Sequence, residues 1–500
     1  MKYTPTIGIE CHVQLCTKTK LFSEVDNDAR GKEPNSCVSP VDYALPGMLP
    51  RLNGEAVKYA ILAGKAMNCT INNYSRFDRK HYFYPDSPKG YQITQFYHPI
   101  IGTGYVELPS GTKIRIEHAH LEGDAGKLTH FDGYSLVDFN RVDTPLIEIV
   151  SMPDIHSAKD AHDYCKELWR LMCFAGVTFG DLYNGNMRFD VNTSLAPEGS
   201  KELGTRTEVK NLNSFKSVER AVEYEIKRQT KLLEAGKKVV QQTLGWNDAT
   251  GQTMPQRSKE VAADYRYMPE PDLPPLRLTD DFIATEAAKL PMMPNDYRKL
   301  FTEIIAGDIL EILLDYPTLM KKLQQLASDF FGADTTSTQC HARIMAPSSV
   351  ATSEHVSKAL SLVANLFASV LLAEEKSAEY LNDLPSTEDL IELARMNEEK
   401  ELSSTATKEV FLKLFDPQMK GRGTSKIAKE MGLIQENDVN ALEKMVDVVL
   451  AKPETKKAQE DFKSGQEKVL GFLVGQVMKE SRGKANPSSV QEILRNKLKS

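Results

Sequence analysis

The period of the hydrophobic pattern changes once along this chain, and that change limits the possible folds more than any other feature. From residue 5 to about residue 215, apolar and polar residues alternate in short runs that Gly, Pro, Asn and Asp interrupt. This pattern is typical of antiparallel strands. Beyond about Pro291, runs such as 304–314 and 356–372 repeat at helical spacing. We therefore predict an α+β protein with an antiparallel-sheet domain followed by all-α parts.

The length of the chain predicts more than one domain. A chain of 500 residues exceeds the size to which one hydrophobic core usually grows. A break at Asp416-Pro417 and Gly421-Arg422-Gly423 divides the helical part. We predict a sheet domain over residues 1–290, a helical domain over 291–415 and a small helical tail domain over 416–500.

The charge of the chain is acidic overall but uneven. The formal net charge of −7 argues against a broadly basic coat for nucleic acid. Residues 420–500, however, carry 16 Lys and Arg against 11 Asp and Glu. This tail is either a surface for a polyanion or an ordinary solvated helical face.

The cysteines and the hydropathy pattern predict an intracellular protein. The seven cysteines are an odd number without a CxxC pair, which favours free thiols in a reducing compartment. No window approaches the roughly 18 uninterrupted apolar residues of a membrane span, so we expect no membrane contact. The start of the sequence runs directly into a strand pattern, which leaves no room for a secretory or transit peptide.

Polar residues with metal-binding chemistry alternate with apolar residues in the first predicted strand. In the segment Ile7-Gly8-Ile9-Glu10-Cys11-His12-Val13-Gln14-Leu15, the side chains of Glu10, His12 and Gln14 share one face. The same arrangement recurs in three later segments, which contribute Arg188, Asp190 and Asn192; Arg206, Glu208 and Lys210; and Glu148 within an apolar run. Carboxylates from several strands on one sheet predict a site for a hard cation such as Mg²⁺.

Two further segments favour contacts with a nucleotide. Residues 118–127 contain Glu122 and Asp124, then glycines, then Lys127, but lack the GxxxxGK[ST] spacing. An ATP site here would not be a P-loop. Residues 77–86 interleave cations with aromatic residues, a combination that binds phosphates and stacks on bases.

Each of these signals also has an ordinary structural explanation. A single acid on a strand is most often solvated or paired in a salt bridge, and Tyr and Phe clusters usually pack in a core or at an edge. His12, His118 and His120, taken one at a time, also fit structural roles. The recurrence of acids on separate strands is what favours a functional site.

At these same residues the sequence resembles a known family. The motifs closely resemble those of the B subunits of the aspartyl/glutamyl-tRNA amidotransferases, and the match extends over nearly the whole chain. The matching segments are residues 9–15, 77–86 with 88–93, 120–127, 143–150, 210–215, 264–267, 471–476 and 485–487.

This resemblance implies a ligase that forms a carbon–nitrogen bond. Its catalytic domain would be cradle-like, and its tail would contact tRNA. Mg²⁺ and ATP would phosphorylate the side-chain carboxylate of misacylated Glu-tRNA(Gln) or Asp-tRNA(Asn), and ammonia would then displace phosphate. The implied partners are an amidase A subunit that releases ammonia from glutamine, a small C subunit and the misacylated tRNA.

The resemblance also implies roles for individual residues. Glu10, His12 and Glu148 are predicted to be catalytic. The predicted metal ligands are Glu10, His12, Glu122, Asp124, Glu148, Asp190 and Asn192. The predicted contacts to phosphate or adenosine are Lys80, Tyr82, Lys127 and Arg188.

The sequence departs from the family pattern at two places. Gly123 stands where relatives usually carry a second glutamate between Glu122 and Asp124. Many relatives also carry a four-cysteine zinc knuckle in the region 22–42, where this chain has Cys37 alone, so we predict no zinc.

Two other classes of function are also compatible with these sequence features. A non-catalytic tRNA-binding scaffold would explain the basic tail, and a metal-dependent hydrolase acting alone would explain the acidic strands. The sequence does not decide between Glu-tRNA(Gln) and Asp-tRNA(Asn). It predicts a bacterial-type cytoplasmic protein, or an organellar one if a transit peptide has been removed.

Overall fold

A computed structural model describes residues 2–256, 264–331, 350–435, 439–481 and 485–499. The chain forms two compact units, Met1–Asn295 and Asp296–Ser500. The first unit contains the described strands, and the second is helical. The further division of the helical part near residue 416 stays a prediction.

The described strands all lie in the first unit. In chain order they are β1 Tyr3–Gln14, β2 Tyr74–His81, β3 Tyr91–His98, β4 Gly104–Glu107, β5 Lys113–Gly123, β6 Lys127–Phe131, β7 Tyr134–Asp138, β8 Pro145–Ser151, β9 Met187–Pro197, β10 Thr207–Leu212, β11 Gln242–Asn247, β12 Gln252–Pro255, β13 Met268–Pro269 and β14 Leu276–Arg277.

Helices of the described residues occur in both units. They are α1 Gly54–Ala66, α2 Ala158–Phe174, α3 Phe215–Glu234, α4 Asp280–Ala287, α5 Pro294–Phe301, α6 Gly307–Leu313, α7 Pro317–Phe331, α8 Val350–Ser369, α9 Ser377–Tyr380, α10 Thr387–Glu398, α11 Ser404–Lys413, α12 Thr424–Glu430, α13 Val439–Leu450, α14 Lys456–Lys463, α15 Leu470–Glu480 and α16 Pro487–Lys499, with short 3₁₀ turns at Leu371–Ala373, Pro453–Thr455 and Glu467–Val469.

An eight-stranded sheet forms the centre of the first unit. Its strand order is β12-β11-β10-β9-β1-β8-β5-β4. The predicted antiparallel arrangement is confirmed for every neighbouring pair of this sheet except β10 and β11, which run parallel. Strand β1 lies in the middle because it pairs with β8 on one side and with β9 on the other.

The two faces of this sheet differ because the side chains alternate. Ile7, Ile9, Cys11 and Val13 are buried on one face, where α1, α2 and α3 pack against the sheet. The polar residues between them point to the opposite face, which these helices leave open. The open face can therefore hold charged side chains without placing them in the apolar core.

A second, smaller sheet extends the first unit beside the open face. In it β3 pairs with one edge of β2, while β13 and β14 pair with the other edge. The Gln95 side chain joins this sheet to β5, because its Oε1 accepts a hydrogen bond from the Leu121 amide at 3.1 Å. Another two-stranded hairpin, β6 and β7, is largely exposed.

The second unit buries its apolar residues between helices. In its C-terminal part, residues such as Leu442, Val446, Leu473 and Leu494 form one hydrophobic cluster. The segment Glu354–Ala373, which contains most of α8, is the one described stretch long and apolar enough to cross a membrane, and half of it is buried inside the unit. Core helices of this length often meet the same criterion.

The described cysteines form no disulfide. These cysteines are Cys11, Cys16, Cys37, Cys69, Cys165 and Cys173, and none of them is paired in a disulfide. Cys340 lies outside the described residues.

Candidate functional site

Four neighbouring strands place functional side chains in one row across the open face. His120 on β5 lies opposite Glu148 on β8, Glu148 lies opposite His12 on β1, and His12 lies opposite Arg188 on β9. Glu122 follows two residues after His120 and so points to the same side. The strand register therefore brings together residues that are far apart in the sequence.

Two imidazoles and two carboxylates in this row form a compact cluster. The Nε2 atom of His12 lies 3.7 Å from Glu122 and 3.6 Å from Glu148. The Nε2 atom of His120 lies 3.6 Å from each of the same two carboxylates. One ligand atom each of His12, Glu122 and Glu148 lies within 4.8 Å of the others, so these three can share one metal ion.

The pKa values in this cluster depend on burial and on the charges that its imidazoles and carboxylates exert on one another. Burial alone would lower the pKa of His12, but the hydrogen bond with Glu148 and the charges of Glu148 and Glu122 raise that pKa to about 9. Burial would raise the pKa of Glu148, but His12, His120 and Lys80 lower it. The charge of the two carboxylates is therefore balanced mainly by imidazoles.

A second group of carboxylates lies on the same face beside the first. One oxygen each of Glu10 on β1, Asp190 on β9 and Glu208 on β10 lies within 4.8 Å of the others. Asn192 Nδ2 donates a hydrogen bond to Glu10 at 3.0 Å. Lys210 Nζ lies 3.2 Å from Asp190 and 2.9 Å from Glu208, so it balances part of the negative charge.

The second group remains crowded with like charges. Burial raises the pKa of Glu10, and the nearby charges of Glu148 and Glu208 raise it further, while Lys210 lowers it. The pKa of Lys210 rises despite burial because Asp190 and Glu208 surround its ammonium. Crowded acids of this kind are typical of a functional site that binds a cation.

A cavity of about 780 Å³ opens above this face. His12, Glu122 and Glu148 line it together with Glu208 from the second group. Besides Lys89, whose ammonium pairs with buried Asp143, four cationic side chains line it, namely Lys80, Arg188, Arg206 and Lys210. Of these, Arg188 and Lys210 also contact carboxylates. The cavity thus combines carboxylates for a metal ion with cations for phosphate oxygens.

The remaining predicted residues lie in different places. Tyr82 lines the cavity. Asp124 also lines it, but its carboxylate pairs with Arg141 at 3.3 Å and with Arg188 at 3.5 Å. Lys127 does not line this cavity and belongs instead to a second one of about 630 Å³. The structure therefore divides the predicted ligands other than Asp124 between two groups; Asp124 lies in ion pairs, and Lys127 lies outside the cavity.

Two residues of the clusters were absent from the predicted set. His120 and Glu208 both satisfy the alternation rule that selected the other ligands: His118, His120 and Glu122 share one strand face, as do Arg206, Glu208 and Lys210. The alternation is visible in the sequence, but the pairing of β5 with β8 and of β10 with β9 is not.

The glycine that departs from the family pattern has a packing reason. A Cβ atom at Gly123 would lie 2.6 Å from Oδ1 of Asp143, which is buried in an ion pair with Lys89. It would also lie 3.4 Å from the ring of Phe22. A glutamate at position 123 therefore requires Asp143 to move.

Comparison with known proteins adds a family to this geometry. Residues 5–284 match the model of the GatB/GatE catalytic domain, and residues 349–498 match that of the GatB domain. The chain belongs to this family. It is a B subunit of the tRNA-dependent amidotransferases, the ligases that amidate misacylated tRNA.

Individual relatives agree with this assignment over their full length. The chain is 43% identical to the B subunit of the aspartyl/glutamyl-tRNA(Asn/Gln) amidotransferase from Caldanaerobacter subterraneus subsp. tengcongensis, with 100% of both chains covered. It is 39% identical to the protein of the same name from Carboxydothermus hydrogenoformans, with 99% of both chains covered. It is 41% identical to that of Elusimicrobium minutum, with 98% of both covered.

Proposed function

We propose that this protein binds ATP and Mg²⁺ in the cavity above the sheet and there activates the side-chain carboxylate of Glu-tRNA(Gln), Asp-tRNA(Asn) or both. The proposal is supported mainly by one observation: two clusters of acidic residues lie close to the four cationic side chains that line one cavity. We further propose an amidase A subunit as the source of ammonia, a small C subunit, and a bacterial-type cytoplasmic location.

The donor set fits a hard divalent cation. Mg²⁺ prefers carboxylate oxygens and usually keeps several waters. Glu122 and Glu148 offer such oxygens in the first group, and Glu10, Asp190 and Glu208 offer them in the second. His12 and His120, whose imidazole nitrogens suit Mg²⁺ less well, would then hold and orient the carboxylates. Asp124 and Asn192 would support the site through Arg188 and Glu10.

The cations of the cavity fit the phosphates of a nucleotide. Lys80, Arg188, Arg206 and Lys210 can each donate to phosphate oxygens. ATP bound there would supply the phosphoryl group that turns a carboxylate oxygen into a leaving group for ammonia. The protein's own contribution is to bind, align and shield these charges, which is the main source of catalysis in phosphoryl transfer. Lys127 does not line this cavity, so we do not propose a direct phosphate contact for it.

The test uses the complex purified with its partners, supplied with ATP, glutamine and each misacylated tRNA in turn. We expect amide formation and tRNA-dependent phosphate release, both abolished by Glu148→Gln, with tRNA binding unchanged. Unchanged turnover in this variant would contradict the proposal and favour a scaffold that contributes only through its basic tail. Phosphate release by the isolated chain without partner or tRNA would instead indicate a hydrolase acting alone.

A further inference from the structure

An irregularity in β3 exposes two consecutive aromatic rings near the cavity. In the pairing of β2 with β3, Arg76 lies opposite His98 and Asp78 lies opposite Thr94, so β3 contains extra residues between these two pairs. Phe96 and Tyr97 lie in this bulge, and each is 54% exposed. In a regular strand one of two successive side chains would face inward.

A buried carboxylate holds this bulge in place. Asp78 is fully buried, and its Oδ2 accepts hydrogen bonds from the amides of both Phe96 and Tyr97 at 3.0 Å. The exposed rings are therefore fixed by the backbone beneath them. The same carboxylate also pairs with Arg76 at 3.4 Å, so an ion pair and two backbone hydrogen bonds compensate its burial and stabilise the bulge.

The two rings continue into a row of aromatic rings that ends at the cavity. Phe96 and Tyr97 contact each other at a centroid distance of 5.0 Å, and Phe96 stacks on Tyr267 at 4.0 Å with an interplanar angle of 12°. Tyr267 lies 6.2 Å from Tyr265, which lines the cavity. Tyr97, Phe96, Tyr267 and Tyr265 form what we call the aromatic row.

The inner end of the aromatic row is fixed and carries a positive charge. The Tyr265 carbonyl accepts a hydrogen bond from the His81 amide at 2.9 Å. The segment that follows is held by Arg79, which donates two hydrogen bonds to buried Glu270 at 2.8 and 2.9 Å. Lys80 Nζ lies 4.9 Å from the ring centroid of Tyr265 and lines the cavity.

We propose that the aromatic row is the stacking surface for the unpaired nucleotides at the 3′ end of the tRNA, and that it guides the aminoacyl ester into the cavity. The proposal rests on the proposed function. Bases stack on aromatic rings whatever their sequence. A rigid platform binds a flexible single strand with less loss of entropy on the protein side.

The length of the row favours an oligonucleotide over the adenine of ATP. A single adenine covers one ring face, whereas this row extends from Tyr265 at the cavity over three further rings, of which Phe96 and Tyr267 cover one face of each other. The outer rings, Phe96 and Tyr97, also do not line the cavity in which the phosphates of ATP are proposed to lie.

The kinetic test compares Phe96→Leu and Tyr97→Leu with wild type in the full complex. We expect the KM for aminoacyl-tRNA to rise about five-fold or more for each lost ring, with kcat and the KM for ATP unchanged. Phe131→Leu and Tyr134→Leu are the matched controls, because these rings on the β6–β7 hairpin are similarly exposed and stack at 5.0 Å. A rise in the KM for ATP instead would overturn the proposal.

A direct binding test separates this proposal from the function on which it rests. An RNA hairpin with four unpaired 3′ nucleotides is compared with a blunt hairpin for binding to the full-length chain. We expect Tyr97→Ala to weaken binding of the first about five-fold or more and to leave the second unchanged. Equal weakening of both RNAs, or of neither, would overturn the proposal even where the complex amidates tRNA normally.

Folding controls keep this test decisive. Tyr97 is half exposed, so Tyr97→Ala should keep the wild-type far-UV circular dichroism and midpoint of thermal unfolding. Phe96→Tyr retains a stacking ring and should bind the overhanging RNA as wild type does. Loss of binding in Phe96→Tyr with an intact fold would contradict a stacking role.

Discussion

Acidic side chains on the two faces of the eight-stranded sheet differ in their partners. On the face covered by helices, Glu225 of α3 is fully buried and accepts hydrogen bonds from Arg228, Thr207 and Thr253 at 2.7 to 2.8 Å. Burial would raise its pKa, but Arg228 and the hydroxyl donors lower it. This carboxylate has a full set of donors and serves to join α3 to the sheet.

On the open face the acids are crowded against one another. Glu10 lies near Glu148, Glu208 and Asp190, and its pKa is raised by burial and by these charges. Glu122 and Glu148 depend on two imidazoles for neutralisation. An acid that stabilises the fold thus has its donors within the chain, whereas acids that bind a ligand take part of their partners from that ligand.

The largest expected difference between the faces is in catalysis. Glu122→Gln should lower kcat for amidation by about 10²–10³-fold, because Glu122 is proposed to hold the Mg²⁺ that stabilises the charge developing in phosphoryl transfer. Glu225→Gln should leave kcat near the wild-type value. Steady-state assays of the full complex check both, and exposed Glu117→Gln on the same strand as Glu122 is the control. A kcat for Glu122→Gln within about ten-fold of wild type would refute the assignment.

The next effect concerns cation binding. Mg²⁺ at about 100 times its Kd should stabilise the wild-type chain by about 2.7 kcal/mol, because the cation binds only where the acids have been brought together. In Glu122→Gln this stabilisation should be much smaller, while Glu225→Gln should keep it. Thermal unfolding with and without Mg²⁺ measures the difference. The same gain in Glu122→Gln as in wild type would place the cation elsewhere.

In the absence of a ligand, the buried acid on the helix-covered face should contribute to the stability of the fold. Glu225→Gln should lower the free energy of unfolding by about 1–3 kcal/mol, because buried donors lose a charged acceptor. Its neighbour Glu223→Gln should change the stability by less than about 0.5 kcal/mol, since Glu223 pairs with Lys227 at the surface. Urea unfolding of the single chain gives both values. An equal loss of unfolding free energy in the two variants would show that the buried hydrogen bonds of Glu225 do not stabilise the fold.

The smallest expected effect is that the stability difference between wild type and Glu225→Gln depends on pH. The folded pKa of Glu225 lies below its ordinary value of 4.5, so its contribution is present above pH 4.5 and is lost as the pH falls through the folded pKa. The stability gap between wild type and Glu225→Gln should therefore be constant near neutral pH and shrink below pH 4.5. A gap that grows on acidification would contradict the sign of this shift.

Much of the fold could be predicted because its signals are local. The alternation of polar and apolar residues predicted the strand-rich first unit, and helical spacing predicted the helical second one. The helix Ala158–Phe174 shows such local signals, because Ser157 caps its N-terminus and Gly176 adopts a positive φ of 68° after its end. The parallel pairing of β10 with β11 was not predicted, because no local pattern marks which strand is the neighbour.

The candidate site was predictable in its residue types but not in its grouping. The sequence by itself determined that Glu10, His12, Glu148 and Asp190 point away from the core, because side chains on a strand alternate with a period of two. The tertiary structure alone decided that His12 joins Glu122 and Glu148 while Glu10 joins Asp190 and Glu208. Contacts between strands depend on pairing and register, and these are set by the packing of the whole domain.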